Sequence, residues 1–137
     1  MEEFFGKKYV LTKHENFEDY LSHIGVGYIG RKLALTLKLV QSLSRNEDGT
    51  YLFNIHTTIF NWDIVFTPGV EYDEKKPDGT VIRAIMTLEG NVLTHIQKHA
   101  AGRHATHVIE FFPDKNIIKT TAQGFDKTCT RYYKLVE

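Results

Sequence analysis

The run "IFNWDIVF", residues 59–66, alternates without a break: Phe60, Trp62, Ile64 and Phe66 fall on one face of an extended chain, and Ile59, Asn61, Asp63 and Val65 on the other. Period-two spacing with every aromatic ring on one side is the pattern of a half-buried strand. From Lys38 onward, similar β-rich runs are cut by turn signals: "NEDG" at 46–49, "PG" at 68–69, "KPDG" at 76–79, "EGN" at 89–91, "AAG" at 100–102, "PDKN" at 113–116 and "QG" at 123–124. With a further strand read over 9–13, the count is about ten, joined by tight connections, which favours an up-and-down antiparallel meander.

The exception to this rhythm lies near the N-terminus. Asn16 reads as an N-cap, Phe17, Tyr20, Leu21 and Ile24 follow at helical spacing, and Gly25 reads as a stop. Tyr28, Ile29, Leu33 and Leu37, interleaved with Arg31 and Lys32, suggest a second short helix weakened by Gly27 and Gly30. A meander must also protect its edges, and closure into a barrel does so. About eight strands enclose a space that side chains just fill, so about ten leave a cavity. The helix pair has no layer of its own to join, and capping the open end of the barrel buries its apolar face.

Composition narrows the function. A chain of 137 residues, 42% hydrophobic and 12% aromatic, is read as a single domain over 1–137 with a substantial core. The 17 Lys and Arg balance the 17 Asp and Glu, so no bulk field attracts a polyphosphate, and nucleic acid is not an expected partner. The single cysteine, Cys129, forms no internal disulfide, and the start "MEEFFGKKYV" carries no apolar signal core, which points to a reducing cytosol. No apolar run approaches the length of a membrane span.

The C-terminal run "CTRYYKLVE" holds the chemistry. Cys129, Arg131, Tyr133 and Leu135 share a strand face, so Arg131 looks inward with apolar neighbours. Stripping water from a guanidinium costs several kcal/mol unless an anion or several acceptors replace it. Something inside the barrel must therefore meet that charge.

At these residues the chain resembles the intracellular lipid-binding proteins, the fatty-acid-binding proteins among them. The resemblance runs through "YVLTKHENFEDYL" at 9–21, "GVGYIGRKLA" at 25–34, "GVEYDE" at 69–74, "TLEGNVLTHIQK" at 87–98 and "CTRYY" at 129–133. It implies a ten-stranded antiparallel β-clam with two short helices over a portal, binding long-chain fatty acids or similar amphiphiles non-covalently, without a cofactor. It also implies that Arg131 and Tyr133 hold the ligand carboxylate, a guanidinium fork and a phenol being suited to that task. Phe17, Tyr20, Val26, Ile29, Leu33, Ala34, Ile59, Phe60, Gln97 and Ile109 are implied as cavity and portal residues, with ordinary lid packing as the competing reading for Phe17, Tyr20, Val26, Ile29, Leu33, Ile59 and Phe60.

Two departures accompany the resemblance. Many members carry a second interior arginine where this chain has Ile109, and Lys7 stands where the family has a glycine, with Gly6 one position earlier. His107, on the same strand face as Ile109, is a candidate replacement for the missing head-group donor. Its simpler reading is a histidine near the barrel surface or in an ordinary hydrogen bond. The resemblance further implies a cytoplasmic monomer that exchanges ligand by transient contact with anionic membranes. Arg31 and Lys32 are candidates for that contact or for a nuclear-import signal. An alternative role is a lipid-dependent module delivering its ligand to a protein partner, such as a nuclear receptor, or to the nucleus. The seven histidines match no metal-binding spacing, Asp63, Glu71, Asp73 and Glu74 form no recognisable acid and base pair with a nucleophile, and Cys129 reads as inert packing, so neither metal nor catalysis is expected.

Overall fold

The computed structural model describes residues 1–136. Ten strands follow one another as β1 (Lys8–Glu15), β2 (Val40–Arg45), β3 (Tyr51–His56), β4 (Asn61–Phe66), β5 (Tyr72–Lys75), β6 (Val81–Glu89), β7 (Val92–Lys98), β8 (Ala105–Phe112), β9 (Lys115–Ala122) and β10 (Cys129–Leu135). They form one antiparallel sheet in the order β4-β3-β2-β1-β10-β9-β8-β7-β6-β5. Strands adjacent in sequence pair with one another except β4 and β5, and β1 pairs with β10 to curl the sheet round. The seam between β4 and β5 stays open, so the barrel is nearly but not fully closed.

The helices α1 (Phe17–His23) and α2 (Tyr28–Thr36) interrupt the meander between β1 and β2. Asn16 stands at the N-cap of α1, but in a left-handed conformation (φ 60°) and with no side-chain cap bond. Its amide instead donates to the carbonyl of Thr128 at 3.0 Å, tying the helix start to the residue before β10. At Gly30 an added Cβ would lie 2.9 Å from Cγ1 of Val26, so the glycine admits a close contact within the lid at the expense of helix propensity.

Two turns share one device. In "NEDGT" and "KPDGT" the aspartate accepts from the backbone N–H and hydroxyl of the following threonine, Asp48 from Thr50 and Asp78 from Thr80. The glycine between them has φ 88° in both, a region closed to most side chains.

Burial divides the interior. Tyr9, Leu43, Phe53, Phe66, Met86, Leu93 and Phe111 pack one end of the barrel solid. Phe17, Tyr20, Leu39, Ala105 and Cys129 form a smaller cluster beneath the lid. Between the two the barrel remains hollow.

Candidate functional site

The hollow is a cavity of about 200 Å³. One water needs roughly 10–15 Å³ by this measure, so the space admits about a dozen waters or an aliphatic chain. Its walls are mostly apolar: Phe17, Leu39, Phe53, Ile55, Phe60 and Ile118 contribute from α1, β3, β9 and the loops before β2 and β4.

A polar chain crosses this apolar space. Arg131 on β10 donates from Nη2 to the Thr120 hydroxyl at 3.1 Å and lies 3.3 Å from Nδ1 of His107. The same Nδ1 is 2.7 Å from the Thr120 hydroxyl, and the opposite ring nitrogen, Nε2, is 2.6 Å from Oε1 of Gln97. Gln97 donates in turn to Oε2 of Glu74 at 2.6 Å. The other carboxylate oxygen, Oε1, receives the Tyr72 hydroxyl and Nε2 of His95, both at 2.7 Å. Directions of donation follow from the ends: a guanidinium only donates and a carboxylate only accepts, so His107 carries its proton on Nε2 and accepts at Nδ1.

The electrostatics follow from this wiring. Glu74 is 2% exposed. Burial alone would push its carboxyl up, but the bonds from His95, Tyr72 and Gln97 together hold it below the usual carboxylate range. His107 is held neutral, well below the ordinary histidine value, first by burial and then by His95, Arg131 and His99. Burial raises the Tyr133 phenol, with the Arg131 guanidinium pulling partly the other way. The guanidinium stacks over the Phe17 ring at 5.1 Å, and among the described residues its buried Nε has no hydrogen-bond partner.

The model of the lipocalin / cytosolic fatty-acid binding protein family matches residues 6–135. This chain belongs to that family. A muscle fatty acid-binding protein of Schistocerca gregaria is 37% identical over 98% of both chains. The crystal structure of a fatty acid-binding protein from the brain of Drosophila melanogaster superimposes with a TM-score of 0.86 at 37% identity, covering 96% of this chain and 98% of that one. The Schistosoma mansoni fatty acid binding protein, solved in complex with arachidonic acid, gives 0.88 at 25% identity over 100% and 98%.

Within this member of the fatty-acid-binding family, Phe17, Tyr20, Val26, Ala34, Phe60, Gln97, Ile109, His107, Arg131 and Tyr133 all line the cavity. Ile29, Leu33 and Ile59 do not; they are 75%, 41% and 64% exposed on the outer surface. The cause is geometric. Ala34 on α2 and Val26 in the link before that helix face the cavity, and in the turn between β3 and β4 Phe60 lines the cavity while Ile59 is exposed. A surface position for His107 is likewise overturned, since it is 7% exposed with both ring nitrogens engaged. Ile109, where a second arginine was looked for, belongs to the packed core.

The basic pair on α2 is occupied. Lys32 bonds to Glu18 on α1 at 3.0 Å, and Arg31 lies 3.6 Å from the same oxygen while donating to the carbonyl of Val26. Cys129 is fully buried, and burial raises its thiol, which disfavours the reactive thiolate. Among the described residues no group of histidine, cysteine and carboxylate side chains is arranged to hold a metal, and no helix is long and apolar enough to cross a membrane. Sequence reasoning passed over Glu74, His95 and Thr120. The inward alternation of Leu93, His95, Gln97 and His99 along β7 was the available signal.

Proposed function

We propose that the protein is a cytosolic, non-enzymatic carrier that holds a long-chain fatty acid in the barrel, with the carboxylate at Arg131 and Tyr133. One observation carries this reading: a partly satisfied guanidinium, its Nε unpartnered among the described residues, in a mostly apolar cavity. A carboxylate brings the charge-assisted bonds that the guanidinium lacks. His107 and Thr120 already bond to each other and to Arg131, so they are positioning residues that aim the guanidinium rather than direct contacts to the ligand.

The energetics suit reversible transport. Burying a methylene is worth about 0.8 kcal/mol, so a long acyl chain gains roughly 10 kcal/mol gross before the costs of association. Micromolar affinity needs about 8 kcal/mol. The tail thus supplies the affinity, and Arg131 the preference for acids.

Ligand exchange with membranes is part of the same proposal. Tyr28, Ile29, Leu33 and Ile59 expose large apolar side chains on the lid and a neighbouring turn, a surface suited to brief contact with lipid. The test of the central reading compares a fluorescent fatty acid with its methyl ester. Arg131→Ala is expected to weaken the acid at least tenfold more than the ester. Equal losses would remove the head-group role.

A further inference from the structure

The polar chain from Arg131 does not account for every buried polar group facing the cavity. His99 follows directly after β7, is 6% exposed and lines the cavity, yet among the described residues its Nε2 has no hydrogen-bond partner. It is the next inward residue after Gln97, so the two lie about 6.6 Å apart along the strand direction. Lys76, half-buried at the start of the β5 to β6 turn, lines the same cavity, and among the described residues its ammonium makes no ion pair or side-chain hydrogen bond.

The charged and titratable groups around His99 come from three sides. Lys76 and Glu74 face it from β5 and the following turn, His95 from its own strand, and His104 from the residue before β8. Burial first, and then Lys76, pull His99 down to about 4, with Glu74 acting the other way. At neutral pH the imidazole is uncharged beside a lysine. With its proton on Nδ1, the neutral imidazole and the ammonium together call for a group that both donates and accepts: an alcohol gives its proton to the Nε2 lone pair and takes a bond from the ammonium. A ketone only accepts and leaves the imidazole lone pair unmatched. A methylene satisfies neither.

We propose that His99 and Lys76 form a second polar position in the cavity wall, one that recognises the hydroxyl of a fatty acid oxygenated along its chain. It deepens the carrier reading and rests on it. The carboxylate occupies Arg131, the chain follows the apolar wall, and the hydroxyl meets His99 at mid-chain. A buried polar site rejects a ligand that leaves it unpaired, which makes the preference sensitive to where the hydroxyl sits.

The experiment is calorimetric titration of delipidated protein with octadecanoic acid, a positional series of its monohydroxy derivatives, and the matching ketones. One hydroxyl position is expected to bind at least fivefold tighter than the plain acid, with its ketone and the distant positional isomers showing no such gain. His99→Phe and Lys76→Met are each expected to reduce the ratio of hydroxy acid to plain acid affinity at least threefold. The proposal is overturned if no position outperforms the plain acid, or if the preference survives both substitutions. Failure of the unmodified protein to bind octadecanoic acid at all would strike the carrier reading itself, and the proposal with it.

Discussion

The indole N–H of Trp62 on β4 donates to the backbone carbonyl of Lys75 on β5 at 2.8 Å, bridging the seam where the barrel's two edge strands fail to pair. The same ring lines the cavity. It is the only tryptophan in the chain. Ligand in the cavity changes the surroundings of that ring, so titration with a fatty acid is expected to shift its emission with saturable stoichiometry. Trp62→Phe keeps most of the apolar surface but cuts the bridge. Amide exchange along β4 and β5 should then rise, by a factor corresponding to about 1 kcal/mol, while β8 and β9 keep their protection. Exchange that rises everywhere or nowhere would deny the bridge a local role.

Acid should destabilise the protein before its carboxylates titrate. His99 and His107 both take up protons less readily folded than unfolded, His99 near 4 and His107 well below the ordinary value, against about 6.5 in the unfolded chain. A depressed histidine contributes stability that is fully present above the unfolded value and is lost as pH falls toward the folded one. Glu74, also depressed, adds its loss below about 4.5. Denaturant midpoints are therefore expected to fall steadily between pH 6.5 and 4. His99→Phe should flatten this slope. A flat profile in the unmodified protein over that window would refute the assignment.

The lid carries a charge arrangement of its own. Glu18 on α1 engages both Arg31 and Lys32 of α2, and those cations together hold its carboxyl below the ordinary value. Glu18→Gln frees two positive charges on an exposed helix beside Tyr28 and Ile29. Transfer of a fluorescent fatty acid to anionic vesicles should accelerate in this variant. The gain should shrink as salt is added, and zwitterionic vesicles should show none of it. A gain that ignores salt would mean the lid has loosened mechanically instead.

The architecture was legible in sequence where one property repeats. The alternation over 59–66 appears as Ile64 and Phe66 inside and Val65 outside, and the odd-numbered face of the last strand does carry Arg131 and Tyr133 inward. What sequence hid was the wiring. In sequence Glu74 reads only as one of four acids that form no acid and base pair, and its burial follows from β5 lying along β6 with Glu74 opposite Ile82. Two of its three partners come from β7, twenty-one and twenty-three residues later, and no local pattern announces a pairing of that range. The exposed apolar residues misled for the opposite reason. Hydrophobicity at Ile29, Leu33 and Ile59 suggests burial, yet a small lid cannot turn every apolar side chain inward.

The buried carboxylate leads to the sharpest prediction. Arg131 and Glu74 are opposite charges joined through Thr120, His107 and Gln97, so the empty interior is formally neutral along this chain. A fatty-acid carboxylate at Arg131 must then tolerate the negative charge of Glu74 at the far end. Glu74→Gln keeps the shape and two polar atoms but removes the charge. Stability should fall by about 1.5–3 kcal/mol, because Tyr72, His95 and Gln97 lose a charged acceptor that all three share. Affinity should move the other way for the acid alone, rising severalfold while that of the methyl ester stays constant, since only the acid is repelled. Calorimetric titration of both ligands, alongside denaturant unfolding of the unliganded variant, separates the two effects. If acid and ester gained equally, the cause would be a looser cavity, and the electrostatic account of the relay would fall.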